Sequence, residues 1–288
     1  MRPHARSYSL FPFLTKRRRA RLRAQPTPAE WAPILTNNVP VYRRVPEELR
    51  AQLHAHMHVF LAEKHFEGCD GLEMTEEIRV TIACQACLLL LNRETRYYPG
   101  LVTVLVYPSV FYADVEEPDG GIVSEYKEDR SGESWEWGVV ILSWEDVVEY
   151  ASTGRAGYNV VLHEFAHQLD GQDGAMDGTP KLGSRGERDE WARVFNDAYY
   201  AFERAAASNR PTLVDAYGAG DPAEFFAVVT ESFFERPLAL RREHAALYDV
   251  LARYYRVDPA SWESSNSGET AAPRRRRARR RRSTARPR

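Results

Sequence analysis

The segment from His163 to His167 has the residue types and spacing of a zinc-binding catalytic motif, HExxH. On a helix the two histidines lie one turn apart on the same face, so both imidazoles can reach one Zn²⁺ ion at about 2.0–2.1 Å. Glu164 lies one residue further round the helix, where a carboxylate is better placed to hydrogen-bond a zinc-bound water than to bind the metal. The pattern predicts a zinc-dependent peptidase with one Zn²⁺ per chain and Glu164 as its general base.

The third zinc ligand must come from elsewhere in the chain, because a catalytic zinc keeps three protein ligands and one open position. No histidine follows His167 at three to six residues, so the acids of segment 221–231 are the candidates. Glu224 and Glu231 lie about two helical turns, roughly 10 Å, apart and cannot both bind one ion. Asp221 and Glu224 also fit a helix capping box, which would explain Glu224 without a metal. Spacing alone leaves Glu224, Glu231 and other acids open.

Several of these side chains also have explanations that involve no chemistry. The two motif histidines could be core residues bonded to backbone acceptors, with Glu164 in solvent. His54 and His58 share one helix face, which we expect to be exposed and metal-free. Cys84 and Cys87 have the spacing of a redox CxxC motif, but they stand mid-helix among leucines. That setting favours buried core thiols.

The charge of the chain is distributed unevenly. Residues 1–25 contain eight Arg or Lys and residues 274–288 contain ten Arg, and neither segment has an acid. The remainder keeps 21 basic and all 41 acidic residues, a net charge of about −20. This balance excludes a large basic nucleic-acid-binding face on the body of the protein, while the tails remain open to one.

Cysteine content and hydropathy bear on the compartment. The three cysteines do not make a disulfide framework, which fits a reducing environment. No apolar run approaches the roughly 18 residues that a membrane span needs. The apolar stretch at residues 10–14 is too short for a secretory signal. We therefore expect a cytoplasmic protein with no membrane span.

The order of the periodic segments favours an α+β fold, because helices come first, strands follow and helices resume. The predicted helices are 46–65, 73–92, 157–170, 187–206, 221–235 and 238–255, and the predicted strands are 101–107, 110–115 and 139–142. We predict four parts: a disordered basic tail (1–25), a helical N-terminal region (26–98), a catalytic domain with a small mixed sheet and the HExxH helix (99–262), and a disordered Arg-rich tail (263–288).

A longer set of motifs resembles one known family. They lie at residues 67–68, 71–75, 83–87, 106–109, 132–135, 140–144, 157–170, 215–217 and 221–224. The set, which runs from about residue 31 to residue 255, resembles the Mlc titration factor A family of bacterial zincin metallopeptidases, whose catalytic domain is similar to that of anthrax lethal factor. The resemblance implies a zincin-like catalytic domain.

The resemblance also implies roles for individual residues. Position by position, it places the zinc ligands on His163, His167 and Glu224 and the general base on Glu164. It gives Tyr217 the role of a hydroxyl that stabilises the oxyanion. Glu231 becomes a candidate acid behind the ligands, and Asp170 a candidate partner for the outer N–H of a ligand imidazole.

Three functional hypotheses follow. The first is a zinc peptidase acting on a peptide substrate, which pairs as an extended chain with strand 139–143. The second, implied by the resemblance, is an interaction protein that sequesters a transcriptional repressor of sugar-uptake genes, with peptidase activity secondary. The third and least favoured is nucleic-acid binding through the Arg-rich tail.

Overall fold

The computed structural model describes residues 12–109, 111–119, 122–130, 132–135, 138–153, 157–208 and 210–266. The helices are α1 (Pro12–Arg23), α2 (Trp31–Asn38), α3 (Glu47–Glu63), α4 (Glu76–Leu88), α5 (Trp144–Thr153), α6 (Val160–Asp170), α7 (Arg185–Ala207), α8 (Pro222–Glu235), α9 (Pro237–Glu243), α10 (Ala245–Tyr255) and α11 (Pro259–Asn266). The strands are β1 (His65–Gly68), β2 (Thr103–Tyr107), β3 (Phe111–Asp119), β4 (Ile122–Arg130), β5 (Gly132–Trp135) and β6 (Val139–Ser143).

The strands form one small mixed sheet and a separate hairpin. In the sheet the order is β1-β2-β6-β5, with β1, β2 and β6 parallel and β5 antiparallel to β6. Within the described part of the chain, β3 and β4 pair only with each other. Helices that precede and follow a small sheet agree with the predicted α+β class, whereas the zincin-like assignment stays a prediction.

The position of β6 contradicts its predicted role as the strand that pairs with substrate. Its two neighbours, β2 and β5, occupy both of its edges, so no extended peptide can add to it. Sequence could not show this, because a run of four buried residues has the same pattern at the centre and the edge of a sheet. On this side of the sheet the outer strand is β5, which lies beside α6.

The N-terminal helices pack directly against the helix that carries the HExxH motif. The ring of Phe165 in α6 lies 5.6 Å from that of Phe60 in α3 and 4.9 Å from that of Tyr98. β1 comes from the predicted N-terminal region, yet it pairs with β2, so the sheet crosses the predicted boundary at residues 98 and 99. None of the described helices is long and apolar enough to cross a membrane.

The prediction of a disordered tail over residues 1–25 is wrong for α1. The Arg19 guanidinium bonds both oxygens of Glu63 in α3, at 2.9 and 2.8 Å, and Arg23 donates to the Tyr97 hydroxyl at 3.3 Å. These partners lie far away in sequence and offset an ordering entropy that the local composition does not. Residues 1–11 lie outside the described residues.

Two further boundaries differ from prediction. The segment 238–255 forms two helices rather than one, which meet at His244, whose backbone is not helical (φ −136°, ψ 58°). At the other end, α11 continues to Asn266, four residues into the predicted Arg-rich tail. The arginine run at residues 274–288 lies outside the described residues, so its contact with nucleic acid stays a prediction.

Candidate metal centre

The HExxH segment lies on α6, whose start and buried face are fixed by local chemistry. The side-chain oxygen of Asn159 accepts a hydrogen bond from Leu162 N at 3.0 Å and so caps the first turn. Leu162, Phe165 and Leu169 form an apolar stripe in which no side chain is more than 1% exposed. The two motif histidines therefore project from the opposite face, towards α8.

Glu224 lies in the first turn of α8. Asp221 caps this helix by accepting hydrogen bonds from Ala223 N at 2.8 Å and Glu224 N at 3.0 Å, and Pro222 occupies the first helical position. The Glu224 carboxylate itself lies against the histidines of α6. The capping box that offered an alternative explanation for Glu224 therefore does not describe where its side chain goes.

Three possible ligand groups converge between α6 and α8. His163 Nε2 lies 3.2 Å from His167 Nε2 and 3.0 Å from Glu224 Oε2, and His167 Nε2 lies 3.6 Å from Glu224 Oε1. Ligand atoms on one tetrahedral Zn²⁺ with bonds of about 2.0–2.1 Å are roughly 3.3 Å apart. The three residues therefore fit one zinc ion. Among the described residues they are the one such group of His, Cys, Asp or Glu side chains.

Glu231 lies on the far side of the His163 ring. Its Oε1 accepts a hydrogen bond from His163 Nδ1 at 2.8 Å, and its Oε2 accepts one from the backbone N–H of Asn159. Because Nδ1 donates to this carboxylate, Nε2 is the ring nitrogen that faces the candidate metal position. The two glutamates that spacing left open thus have different places: Glu224 beside both Nε2 atoms and Glu231 behind His163.

The electrostatics of the cluster favour positive charge beside the Glu224 carboxylate. Burial opposes ionisation of Glu224, but hydrogen bonds with His163 and His167 outweigh it and hold the Glu224 pKa at about 2. Burial likewise disfavours a charged His163, yet the hydrogen bonds with Glu224 and Glu231 prevail and raise its pKa well above the ordinary value. Glu224 is therefore an anionic ligand group at neutral pH, and positive charge beside it is strongly stabilised.

The two remaining predicted catalytic side chains lie near this cluster in different settings. Glu164 is 4% exposed and follows His163 on α6. Tyr217 is 64% exposed and lies in a short 3₁₀ turn, Ala216–Ala219, that Asp215 caps. Its ring centroid is 6.1 Å from that of His163. Glu164 is thus buried on the helix that carries both histidines, whereas Tyr217 is exposed to solvent with its ring near that of His163.

Asp170 does not make the predicted contact with a ligand imidazole. Its Oδ2 accepts a hydrogen bond from Gly178 N at 2.8 Å. Its Oδ1 and His167 Nδ1 are both buried and have no hydrogen-bond partner among the described residues. Burial raises the Asp170 pKa to about 6, against the opposing effect of the Gly178 N–H. For His163 the partner role belongs to Glu231 instead.

Three residues that sequence reasoning did not single out extend the site. Asn159 Nδ2 donates to Glu235 Oε1 at 3.0 Å, and Arg44 Nη2 lies 3.6 Å from Glu235 Oε2. Glu235 follows Glu231 by one helical turn, a signal that was available. The predicted helix start at residue 157 hid the capping role of Asn159, and no local pattern connects Arg44 to residues so distant in sequence.

The raised pKa of Glu235 predicts that the stability of the folded protein depends on pH. Burial raises its pKa to about 8 against the opposing effect of Arg44, from an ordinary value of 4.5. The unfolded chain therefore loses this proton first, so the contribution of Glu235 to stability falls as pH rises from about 5 to 8, by up to about 1.4 kcal/mol per pH unit. We expect metal-free Glu235→Gln protein to gain stability relative to wild type across this window.

Urea unfolding of both metal-free proteins at pH 5, 6.5 and 8 measures this difference. The exposed Glu243→Gln variant controls for loss of a carboxylate. A difference between wild type and Glu235→Gln that stays constant with pH would contradict the assignment.

His54 and the two cysteines of the alternative sites have structural explanations that need no metal or redox chemistry. His54 Nδ1 lies 3.3 Å from Thr27 Oγ1, and His54 Nε2 lies 3.1 Å from the Tyr42 hydroxyl. Cys84 and Cys87 are completely buried, and burial raises the pKa of both thiols well above the usual range. Buried neutral thiols are poor nucleophiles and ligands, which agrees with the prediction of core thiols.

Comparison with known sequences gives a family match and close relatives. A profile described as "Glucose-regulated metallo-peptidase M90" matches residues 14–256. The uncharacterized protein slr2042 of Synechocystis sp. is 42% identical over 244 residues, which cover 84% of this chain and 89% of that protein. Mlc titration factor A of Klebsiella pneumoniae subsp. pneumoniae is 35% identical over 224 residues (75% of this chain, 82% of the relative). Mlc titration factor A of Yersinia pestis is 31% identical over 248 residues (82% and 89%).

Proposed function

The chain belongs to the glucose-regulated metallo-peptidase M90 family and is homologous to Mlc titration factor A proteins, and on that premise we propose that it is a zinc-dependent peptidase with a zincin-like catalytic domain. One observation carries the proposal: His163, His167 and Glu224 converge with the separations of a single zinc site. Membership of a metallo-peptidase family implies that the protein uses a metal ion. Two imidazoles and one carboxylate are a ligand set that binds catalytic zinc in known hydrolases.

Zinc, when bound, supplies a Lewis acid that polarises a peptide carbonyl and makes a nearby water more acidic. Glu164 is the residue that takes a proton from the attacking water, and it then gives that proton to the leaving amine. Its position supports both steps, because it stands one residue from His163 and is almost wholly shielded from bulk solvent.

Tyr217 and the edge of the sheet form hydrogen bonds with the substrate. The Tyr217 hydroxyl donates a hydrogen bond to the oxyanion that forms as the peptide carbonyl becomes tetrahedral. Its exposed position in a short turn lets the side chain settle on a substrate that has entered. The outer edge of β5 offers backbone groups to an extended peptide beside α6, the pairing that β6 cannot make.

Metal analysis combined with a panel of short chromogenic peptides tests the proposal. We expect one zinc per wild-type chain and measurable hydrolysis, and the loss of both in Glu224→Gln, because a neutral amide is a far weaker zinc ligand. Tyr217→Phe should keep its zinc and lose about 10²–10³-fold in kcat.

Glu243→Gln, a matched change on the neighbouring helix α9, should retain zinc and activity. Wild-type protein without zinc, or hydrolysis that persists in Glu224→Gln, would refute the proposed function.

A second candidate function is capture of a regulatory protein. The relatives named Mlc titration factor A favour it, since their name describes action on Mlc. On this hypothesis the chain binds a transcriptional repressor through a surface that does not include the metal centre. Retention of that partner by a variant without zinc would support it, whereas failure of wild-type protein to bind the repressor would remove it.

A further inference from the structure

We propose that Asn159, Glu235 and Arg44 are positioning residues for the zinc ligand His163. Together with Glu231 they form a largely buried chain of polar contacts from the N-terminal part of the protein to the metal centre. The proposal rests on the proposed function, in that the imidazole being positioned is a zinc ligand. On this proposal, residues remote from the HExxH motif determine how tightly the motif binds metal.

The chain of contacts begins at the C-terminus of α8. Arg44 Nη2 donates to the carbonyl of Phe234 at 2.8 Å and lies 3.6 Å from Glu235 Oε2. The last carbonyls of a helix have no partner within the helix and carry its negative end, so a guanidinium stabilises them. Arg44 therefore holds the end of the helix that carries Glu224, Glu231 and Glu235.

Asn159 is the middle link and joins α8 to the start of α6. Its backbone N–H donates to Glu231, its Nδ2 donates to Glu235 at 3.0 Å, and its Oδ1 caps α6 at Leu162 N. Serine and aspartate cap helices as well as asparagine does, but neither has an N–H donor in its side chain. The link to Glu235 explains why an amide stands at this position.

The last link sets the geometry of the ligand. Glu231 is 1% exposed, and its two oxygens are divided between Asn159 N and His163 Nδ1. A carboxylate held from both sides cannot rotate away, so the imidazole keeps the orientation in which Nε2 faces Glu224 and His167. Partners of this kind typically change metal affinity by about 10–100-fold when removed, and more distant links should have smaller effects.

Asn159→Ser tests the middle link, because serine preserves the cap and the backbone N–H but cannot reach Glu235. We expect its zinc dissociation constant, measured by competition with a chromophoric chelator, to rise about 2- to 30-fold. The visible absorption bands of the Co²⁺-substituted protein should also change, since they report the ligand geometry. Arg44→Met should shift both readouts in the same direction, and Arg44→Lys, which keeps the charge, should recover part of the loss.

Thr75→Ala is the matched control. It removes the side-chain cap of α4, at Ile78 N, and so lowers the stability of the protein without touching the chain of contacts. Its zinc affinity and Co²⁺ spectrum should equal those of wild type. If Asn159→Ser fails to fold, the two Arg44 variants test the positioning role on their own.

The outcomes separate the two proposals. A wild type that binds zinc, with unchanged affinity and spectra in the Asn159 and Arg44 variants, would overturn the positioning role and leave the peptidase proposal standing. A wild type that binds no zinc would overturn both. An equal loss of zinc affinity in Thr75→Ala would trace the effect to general stability and also overturn the positioning role.

Discussion

Replacement of Glu164 by Gln is expected to lower peptide hydrolysis by a factor of about 10²–10⁴ while one zinc ion stays bound. The side chain keeps its length and shape, so the buried site can accommodate it, but an amide cannot accept the proton of the attacking water. Glu164 is not among the three residues whose ligand atoms converge, which is why metal content should survive. The loss should appear in kcat rather than in the affinity for substrate.

Two measurements on Glu164→Gln protein show whether a loss of hydrolysis comes from the missing base or from a missing metal. Zinc content by elemental analysis must match wild type, and the thermal unfolding midpoint must respond to zinc as wild type does. Hydrolysis within tenfold of wild type, in protein that retains its zinc, would show that another group takes the proton. Loss of zinc together with activity would show instead that Glu164 helps to hold the metal.

The local part of the site was predictable from sequence and the distant part was not. His163, Glu164 and His167 are joined by one helical turn, so their spacing determines their relative positions. The choice between Glu224 and Glu231 depends on the angle and depth at which α8 meets α6, and no local pattern contains that information. Resemblance to a family supplied the expectation, and the structure places the two carboxylates on opposite sides of one imidazole.

The fold shows the same division between local and long-range determinants. The buried stripe of α6 and the cap of α4 at Thr75 are determined locally, because each depends on neighbours within about one or two turns. The α1 helix is not, because its stability comes from contacts with Glu63 and Tyr97 that are specified in other segments. The central place of β6 also escaped prediction, since the order of strands is set by packing of the whole sheet.

Removal of one of the two proposed histidine ligands tests the proposed metal centre and separates the two candidate functions. His167→Ala should lose zinc and all hydrolysis, because two ligands cannot hold a catalytic zinc. The fold should survive: His167 Nδ1 has no hydrogen-bond partner among the described residues, and the contacts of His167 Nε2 are with His163 and with Glu224, whose side chain is partly exposed to solvent. His163→Ala is the poorer choice, because it would leave Glu231 without one of its two donors.

Zinc dependence of thermal stability gives this prediction a readout independent of activity. Zinc at about 100 times its dissociation constant stabilises the folded state by about 2.7 kcal/mol, which raises Tm by roughly 5–10 °C in a chain of this size. Chelation should therefore lower the Tm of wild type and of the exposed His65→Ala control, and leave that of His167→Ala unchanged. Repressor capture by His167→Ala at wild-type strength would assign binding to a surface apart from the metal, whereas a full equivalent of zinc in this variant would contradict the ligand assignment itself.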